Sequence, residues 1–304
     1  MKIQGLIAAT VAPFSSNGRI NTAVVPAMVD LLVADGVAGI FINGSTGEGA
    51  SLTARERCEL AEAYIAAAKG RLLSMVHVGH NCLEEARDSA RHAEKAGAAA
   101  VGLVAPSYFK PASVKELVAF CAEVAAACPN TPFYYYHIPA LTGVSFKMID
   151  FLKEADGRIP TLAGIKFTFE DMMDFLLCRE YGERKYDMLF GRDEMLLAAL
   201  ATGAEGAIGS TYNYSAPIYG KIIAAFRTGA LEEARMWQVR ATKAIQVLAK
   251  FGGACATKSF IRLRGIDCGP YRLPMRTLSS ADERLLESDL RATGYFEWMQ
   301  EAAR

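Results

Sequence analysis

Short apolar runs alternate with longer amphipathic stretches along most of the chain. The runs are continuous in hydrophobicity, which is typical of strands whose two faces are both covered in a parallel sheet. We predict strands at 6–11, 37–42, 72–78, 99–104, 132–136, 161–165, 188–190 and 206–208. Helical patterns separate them at 22–34, 54–69, 83–95, 114–127 and 195–201. Thr53 and Glu56 have the spacing of a capping box at the start of one of these helices.

The order of these elements predicts the fold class. Gly36, Gly97 and Gly203 each follow a helix and lead into an apolar run, where glycine can end the helix in the left-handed conformation. Eight strands alternating with helices predict an α/β protein with a (β/α)₈ TIM barrel, and an open doubly wound sheet is the alternative. After the last strand only helical patterns remain, at 218–228, 231–250 and 281–290. We therefore predict a barrel over 1–212 that carries the active site and a helical extension over 213–304.

Composition narrows the class of protein. The 304 residues include 33 Lys and Arg against 33 Asp and Glu, so the formal net charge is zero. This balance argues against a nucleic-acid-binding protein, and the 52% apolar content argues against disorder. The first apolar run is short and is followed by Pro13, which favours a buried strand over a signal peptide. No run approaches the ~18 residues of a membrane span, and zero net charge favours a defined oligomer.

Cysteine and histidine positions bear on metals and on the redox environment. The seven cysteines form an odd set without a Cys-x-x-Cys pair, which indicates reduced, cytoplasmic thiols and neither a disulfide framework nor a zinc site. His77 and His80 together supply only half of a metal site. We therefore expect no bound metal.

The ends of the predicted strands carry the candidate chemistry, because a barrel builds its active site there. Lys166 ends the sixth run, where burial disfavours the charged ammonium and leaves a nucleophilic amine that can form a Schiff base with a ketone. The alternative is a lysine that extends into solvent. Tyr136 ends the fifth run and could transfer protons, or it could only pack in the barrel, as we expect for Phe133, Tyr134 and Tyr135.

Further polar segments follow other strands. The glycine-rich segment 44–49 contains Ser45 and Thr46, whose hydroxyls and backbone N–H groups could hold a carboxylate or phosphate. A second Gly-Ser-Thr stands at 209–211. Neither has the Gly-Lys-Ser/Thr ending of a nucleotide-binding loop, which argues against nucleotides.

Charged and aromatic residues at other strand ends admit simpler explanations. Asp193 and Glu194 follow the seventh run, where carboxylates could be solvated charges at the start of a helix or part of the site. His137 follows Tyr136, and we expect it to be a packed or capping residue rather than a catalyst.

Taken together, Ser-Thr-Gly-Glu at 45–48, Tyr136, Lys166 and Gly-Ser-Thr at 209–211 resemble the dihydrodipicolinate synthase / N-acetylneuraminate lyase family of class I aldolases. The similarity runs in the expected order from about residue 5 to 274. Within the family, three segments look like the N-acetylneuraminate lyase branch, particularly its animal-type members: 134–143, 190–194 and 209–214. The resemblance implies reversible cleavage of N-acetylneuraminate to N-acetyl-D-mannosamine and pyruvate without cofactor or metal. It also implies a homotetramer arranged as a dimer of dimers.

The resemblance implies roles for individual residues. Lys166 would form the Schiff base with the pyruvyl ketone, and Tyr136 would move the proton of the hydroxyl whose carbon–carbon bond breaks. Tyr108 matches a tyrosine that completes the site from a neighbouring subunit in relatives. The remaining residues would bind substrate: Ser45 and Thr46 the pyruvyl carboxylate, and Thr168, Gly191, Asp193, Glu194 and Ser210 the sugar-derived hydroxyls.

Two departures from the family pattern bear on the substrate. Leu141 stands near the position where the synthase branch has an arginine for a second carboxylate. We expect Leu141 to be buried, which would leave that carboxylate unpaired and argues against dihydrodipicolinate synthesis. Arg192 stands at a position where members of the family more often have a small or aromatic residue. This difference affects which sugar acid we expect to bind.

Three alternatives stay open at this point. The first is the same chemistry, as an aldolase or dehydratase, on another 2-keto-3-deoxy sugar acid or on 4-hydroxy-2-oxoglutarate. The second is a metal-dependent aldolase on the same barrel. The third is a non-catalytic barrel that binds a keto acid.

Overall fold

A computed structural model describes residues 2–304, and its strands form a closed parallel barrel in chain order, with β8 paired to β1. The strands are β1 (Gly5–Ala9), β2 (Gly39–Ile42), β3 (Leu73–His77), β4 (Ala100–Val104), β5 (Phe133–His137), β6 (Leu162–Phe167), β7 (Asp187–Phe190) and β8 (Gly206–Gly209). All eight predicted strands are present, and the (β/α)₈ barrel is confirmed.

Helices surround this barrel and continue beyond it. They are α1 (Val25–Ala34), α2 (Ala54–Ala68), α3 (Leu83–Ala96), α4 (Val114–Ala126), α5 (Pro139–Thr142), α6 (Met148–Ala155), α7 (Met172–Arg184), α8 (Leu196–Ala201), α9 (Tyr212–Arg227), α10 (Leu231–Lys250), α11 (Thr257–Leu263), α12 (Ser280–Thr293) and α13 (Tyr295–Ala302). None of the helices formed by residues 2–304 combines the length and the apolar character that a membrane span needs.

The predicted helix boundaries agree with this arrangement to within three residues, except that α9 begins at Tyr212, six residues before its predicted start. The capping box of α2 is present, because Thr53 Oγ1 accepts the N–H of Glu56 and the Glu56 carboxylate accepts the N–H of Thr53. Gly36, Gly97 and Gly203 all have the positive φ expected at these helix ends.

The two faces of each strand meet different surroundings. On β5, Tyr134 and Tyr136 point into the barrel, whereas Phe133 and Tyr135 lie in the layer between the strands and the helices. The amino end of the barrel is closed by Asp187, whose Oδ2 accepts hydrogen bonds of 3.0 Å from the Tyr134 hydroxyl and from the backbone N–H of Ile3. Phe133, Tyr134 and Tyr135 are packing residues, as expected.

The C-terminal helices pack on the barrel and on one another. Helix α9 follows β8 directly and contacts β1, and α10 lies along α9. The side chain of Gln238 on α10 accepts the N–H of Leu197 and donates to the carbonyl of Asp193, which ties the helix to the loop after β7. The division of the chain at residue 212 stays a prediction.

Candidate active site

Lys166 lies inside the barrel near its carboxyl end. Lys166 on β6 is paired in register with Tyr136 on β5, so both side chains face the same interior space. The residue is 4% exposed, and its Nζ lies 3.7 Å from the ring centroid of Tyr136 and 4.5 Å from that of Phe41. The Nζ atom therefore faces two aromatic rings and not the solvent. The alternative of a lysine that extends into solvent does not hold.

Three rings form the wall beside this lysine. The centroids of Phe41, His77 and Tyr136 lie 5.7–5.9 Å apart in edge-to-face contacts. His77 Nδ1 lies 3.1 Å from the carbonyl oxygen of Asn43, and because a carbonyl only accepts, Nδ1 carries the proton. Burial, and then the charges of Arg57 and Lys166, lower the pKa of His77 well below its usual range, so this ring is neutral.

His77 and His80 do not converge on a metal site. The Nδ1 atom of His80 accepts the backbone N–H of Cys82 at 3.0 Å, whereas Nδ1 of His77 donates to Asn43. Within residues 2–304, no three His, Cys, Asp or Glu side chains are grouped as metal ligands would be.

The loop after β2 presents the hydroxyl groups predicted to bind an anion. Ser45 is exposed and Thr46 is half-buried at its tip. Glu48, at φ 52°, turns beneath the loop and is buried against Lys258, whose Nζ lies 2.7 Å from Glu48 Oε1. The backbone N–H of Arg272 donates to Glu48 Oε2 at 2.9 Å. The loop is therefore held from below by residues of the C-terminal part of the chain.

A cavity of about 250 Å³ opens between this loop and the aromatic wall. Ser45, Tyr136 and Leu141 all line it, and so does Arg57 of α2, which sequence reasoning missed. Arg57 stands in the polar stretch of an amphipathic helix, where the pattern indicates an exposed side chain. Only the fold shows that it is buried.

Asp193, Thr168, Gly191 and Gly209 come together on the opposite side of the barrel mouth. The Asp193 carboxylate is buried and accepts two hydrogen bonds from Thr211, from the N–H at 2.9 Å and from the hydroxyl at 2.6 Å. Burial raises the pKa of Asp193 to about 6 despite these bonds. A Cβ at residue 209 would lie 1.8 Å from Asp193 Oδ1, so only glycine leaves room for the carboxylate.

The same crowding occurs next to Thr168. A Cβ at Gly191 would lie 2.0 Å from Thr168 Oγ1, and that hydroxyl is buried without a hydrogen-bond partner. Ser210 is half-buried beside them at the end of β8. A buried hydroxyl without a partner is available to a ligand.

Arg192 joins two acidic side chains at the edge of this group. It forms ion pairs with Glu170 and with Glu194, the latter at 3.2 Å between Arg192 Nε and Glu194 Oε1. Glu194 is therefore a partly exposed carboxylate restrained by a neighbouring cation.

Three other residues named in the sequence analysis differ in their surroundings. Tyr108 is 79% exposed and does not line the cavity of its own chain; its ring packs against Phe109, which is 84% exposed. Leu141 is 63% exposed, so the expectation of a buried leucine is wrong, because the single turn α5 places it at the cavity mouth. His137 is packed against Phe167 and Phe169, as expected, and burial lowers its pKa to about 4.

Known proteins share both this sequence and this fold. The dihydrodipicolinate synthetase family model matches residues 2–293. The chain is 44% identical to N-acetylneuraminate lyase A of Xenopus laevis over 279 residues, covering 90% of this chain and 91% of that protein. It is 41% identical to the N-acetylneuraminate lyase of Rattus norvegicus over 299 residues, covering 97% and 93%.

A solved structure agrees with these relatives. The structure of Proteus mirabilis N-acetylneuraminate lyase superposes with a TM-score of 0.94 at 37% identity, covering 97% of this chain and all of the other. The chain belongs to the dihydrodipicolinate synthetase family.

Proposed function

We propose that the protein is a class I aldolase that cleaves N-acetylneuraminate reversibly to N-acetyl-D-mannosamine and pyruvate. The observation that carries the proposal is the buried Lys166 amine, 3.7 Å from the ring centroid of Tyr136 beside a cavity that exposes Ser45. Relatives named N-acetylneuraminate lyase, at 41–44% identity over most of the chain, support the choice of substrate.

The proposed reaction begins at Lys166. Its neutral amine attacks the ketone carbon of the open-chain sugar acid, and loss of water leaves an iminium. Tyr136 takes the proton of the hydroxyl at C4, the bond between C3 and C4 breaks, and the aldehyde N-acetyl-D-mannosamine leaves. The electron pair of the broken bond moves into the iminium and gives an enamine. Tyr136 returns the proton to C3, and hydrolysis of the resulting iminium releases pyruvate and restores the amine.

The other residues bind and orient the substrate in this proposal. Ser45 and Thr46 hold the carboxylate with hydroxyl and backbone donors. Thr168 offers the buried hydroxyl without a partner, and Asp193 and Glu194 accept hydrogen bonds from sugar hydroxyls. Gly191 and Ser210 contribute backbone and hydroxyl groups to the same side. Such positioning lowers the barrier by fixing the reacting groups in advance.

The electron sink in this reaction is the iminium on Lys166, so the proposal requires neither cofactor nor metal. We also propose a homotetramer, a dimer of dimers, in which Tyr108 acts next to a neighbouring subunit. The exposed rings of Tyr108 and Phe109 support an interface there, because large apolar side chains are seldom exposed side by side. Seven free thiols support a reducing compartment, the cytoplasm.

The proposal is tested by trapping and by turnover. Borohydride reduction with pyruvate should add one pyruvate-derived group to the wild-type chain at Lys166 and none to Lys166→Ala. Coupled pyruvate detection should then give a higher kcat/KM for N-acetylneuraminate than for a 2-keto-3-deoxy sugar acid or 4-hydroxy-2-oxoglutarate. Absence of the adduct would refute the mechanism, and a low rank for N-acetylneuraminate would refute the substrate.

A further inference from the structure

Arg57 is a buried cation without an acidic partner. The residue is 5% exposed; Nη1 donates to the carbonyl of Gly79 at 3.0 Å and Nη2 to that of His77 at 2.7 Å, while Nε has no hydrogen-bond partner. It forms no ion pair with a carboxylate among residues 2–304, and the charge of Glu85 favours the Arg57 cation only from beyond ion-pair distance. A buried charge that is held only by neutral groups costs stability, and such charges are normally paired.

The cavity lining supplies no counter-charge to the guanidinium. Arg57 lines the same cavity as Ser45 and Tyr136, and none of the described residues that line this cavity is an Asp or a Glu. Its neighbour His77 is neutral. The cavity therefore has a positive electrostatic potential, which attracts an anion of suitable size.

We infer that Arg57 is a positioning residue that draws the carboxylate of the keto acid to Ser45 and Thr46. The inference rests on the proposed function and extends it, because hydroxyl and backbone donors alone supply no full charge to the carboxylate. When the substrate binds, its carboxylate is the counter-charge that the buried guanidinium lacks. Charge complementarity of this kind favours keto acids over neutral ketones.

A purely structural role for Arg57 makes a different prediction. Its two hydrogen bonds connect α2 to the end of β3 and to the following loop, so its loss could simply loosen the site. Loosening would weaken the binding of a keto acid and of a neutral ketone alike. Loss of charge would weaken only the binding of the keto acid.

The test compares pyruvate with pyruvamide, a neutral ligand of nearly the same shape. Borohydride trapping at varied ligand concentration, read by intact-protein mass, gives the half-saturating concentration of each. Arg57→Gln keeps hydrogen-bond donors but loses the charge. The half-saturating concentration of pyruvate should therefore rise about tenfold or more, whereas that of pyruvamide should change about twofold at most. Arg55→Gln is the matched control, since Arg55 is exposed on the same helix and should change neither value.

Arg57→Lys provides a second, independent variant. It keeps the charge but cannot donate to both carbonyls, so the preference for pyruvate over pyruvamide should persist. Equal weakening of both ligands in Arg57→Gln, no change in Arg57→Gln, or loss of the preference for pyruvate in Arg57→Lys would overturn the inference. If the wild-type chain traps neither ligand, the proposed function fails instead, which distinguishes the two. Circular dichroism of each variant establishes that it is folded.

Discussion

Lys258 donates a hydrogen bond of 2.7 Å to Oε1 of Glu48, although the two residues are 210 positions apart in the chain. The side chains are 2% and 0% exposed. Burial lowers the pKa of Lys258, and the Glu48 carboxylate opposes that shift. This pair connects the C-terminal part of the chain to the loop that carries Ser45 and Thr46.

Breaking this pair should destabilise the protein. Lys258→Met leaves Glu48 buried without its counter-charge, so the free energy of unfolding should fall by about 3–5 kcal/mol, as measured by urea denaturation. Lys250→Met is the control, because the Lys250 side chain is 57% exposed and its pair with Asp289 should contribute less than about 1 kcal/mol. Similar losses in both variants would contradict the prediction. The double variant with Lys258→Met and Glu48→Gln should lose less free energy of unfolding than the sum of the losses in the two single variants.

Gly209→Ala should impair the site while the fold persists. The new Cβ would lie 1.8 Å from Asp193 Oδ1, so the carboxylate must move away from its bonds with Thr211. We expect kcat/KM for N-acetylneuraminate to fall about a hundredfold. Gly220→Ala, on α9 with no atom within 4 Å of the new Cβ, should leave kcat/KM unchanged and add about 0.5–1 kcal/mol of stability. Equal activities of the two variants would argue against a positioned Asp193.

Asp193 should make stability depend on pH. Its pKa is raised from 3.8 to about 6, so the folded chain binds this proton more tightly than the unfolded chain. The resulting stabilisation is complete below pH 3.8 and is lost as the pH rises through about 6, a change of about 3 kcal/mol. Measured from pH 4 to 7, Asp193→Asn should gain stability relative to wild type by that amount. If the stability difference between wild type and Asp193→Asn does not change with pH, the raised pKa of Asp193 is refuted.

His137 should make stability depend on pH in the direction opposite to Asp193, over a similar pH range. Burial lowers its pKa from 6.5 to about 4, so the unfolded chain takes up this proton first. Its contribution is present above pH 6.5 and is lost as the pH falls through about 4, again about 3 kcal/mol. His137→Phe should therefore lose less stability than wild type between pH 7 and 4. Parallel pH curves for the two proteins would show that His137 does not titrate in this range.

A local sequence pattern predicts the structure correctly where that pattern has one structural outcome. Continuous apolar runs predict all eight strands because both faces of a barrel strand are covered. Position at strand ends predicts that Lys166 and Tyr136 lie together, and their register on β6 and β5 agrees. The same principle groups Thr168, Gly191 and Asp193.

Other features depend on distant parts of the chain and have no local signal. The burial of Arg57 results from the carbonyls of His77 and Gly79, and the partner of Glu48 is supplied from α11. The exposure of Leu141 follows from the short surface turn α5, whereas an apolar residue by itself indicates burial. Tyr108 is exposed and does not line the cavity, although its position after a strand places it among the candidate site residues.

The closed amino end of the barrel affects how ligands enter and leave the site. Asp187, Tyr134 and the N–H of Ile3 form a hydrogen-bonded group at the amino end of the barrel, opposite the end at which Lys166 lies. In the proposed reaction the pyruvyl fragment is bound to Lys166 inside the barrel, and the free aldehyde leaves before it. In the synthetic direction the keto acid binds first. A barrel closed at its amino end lets both fragments of the proposed cleavage leave through its carboxyl end, and the position of the pyruvyl fragment agrees with the order that the Schiff base already requires.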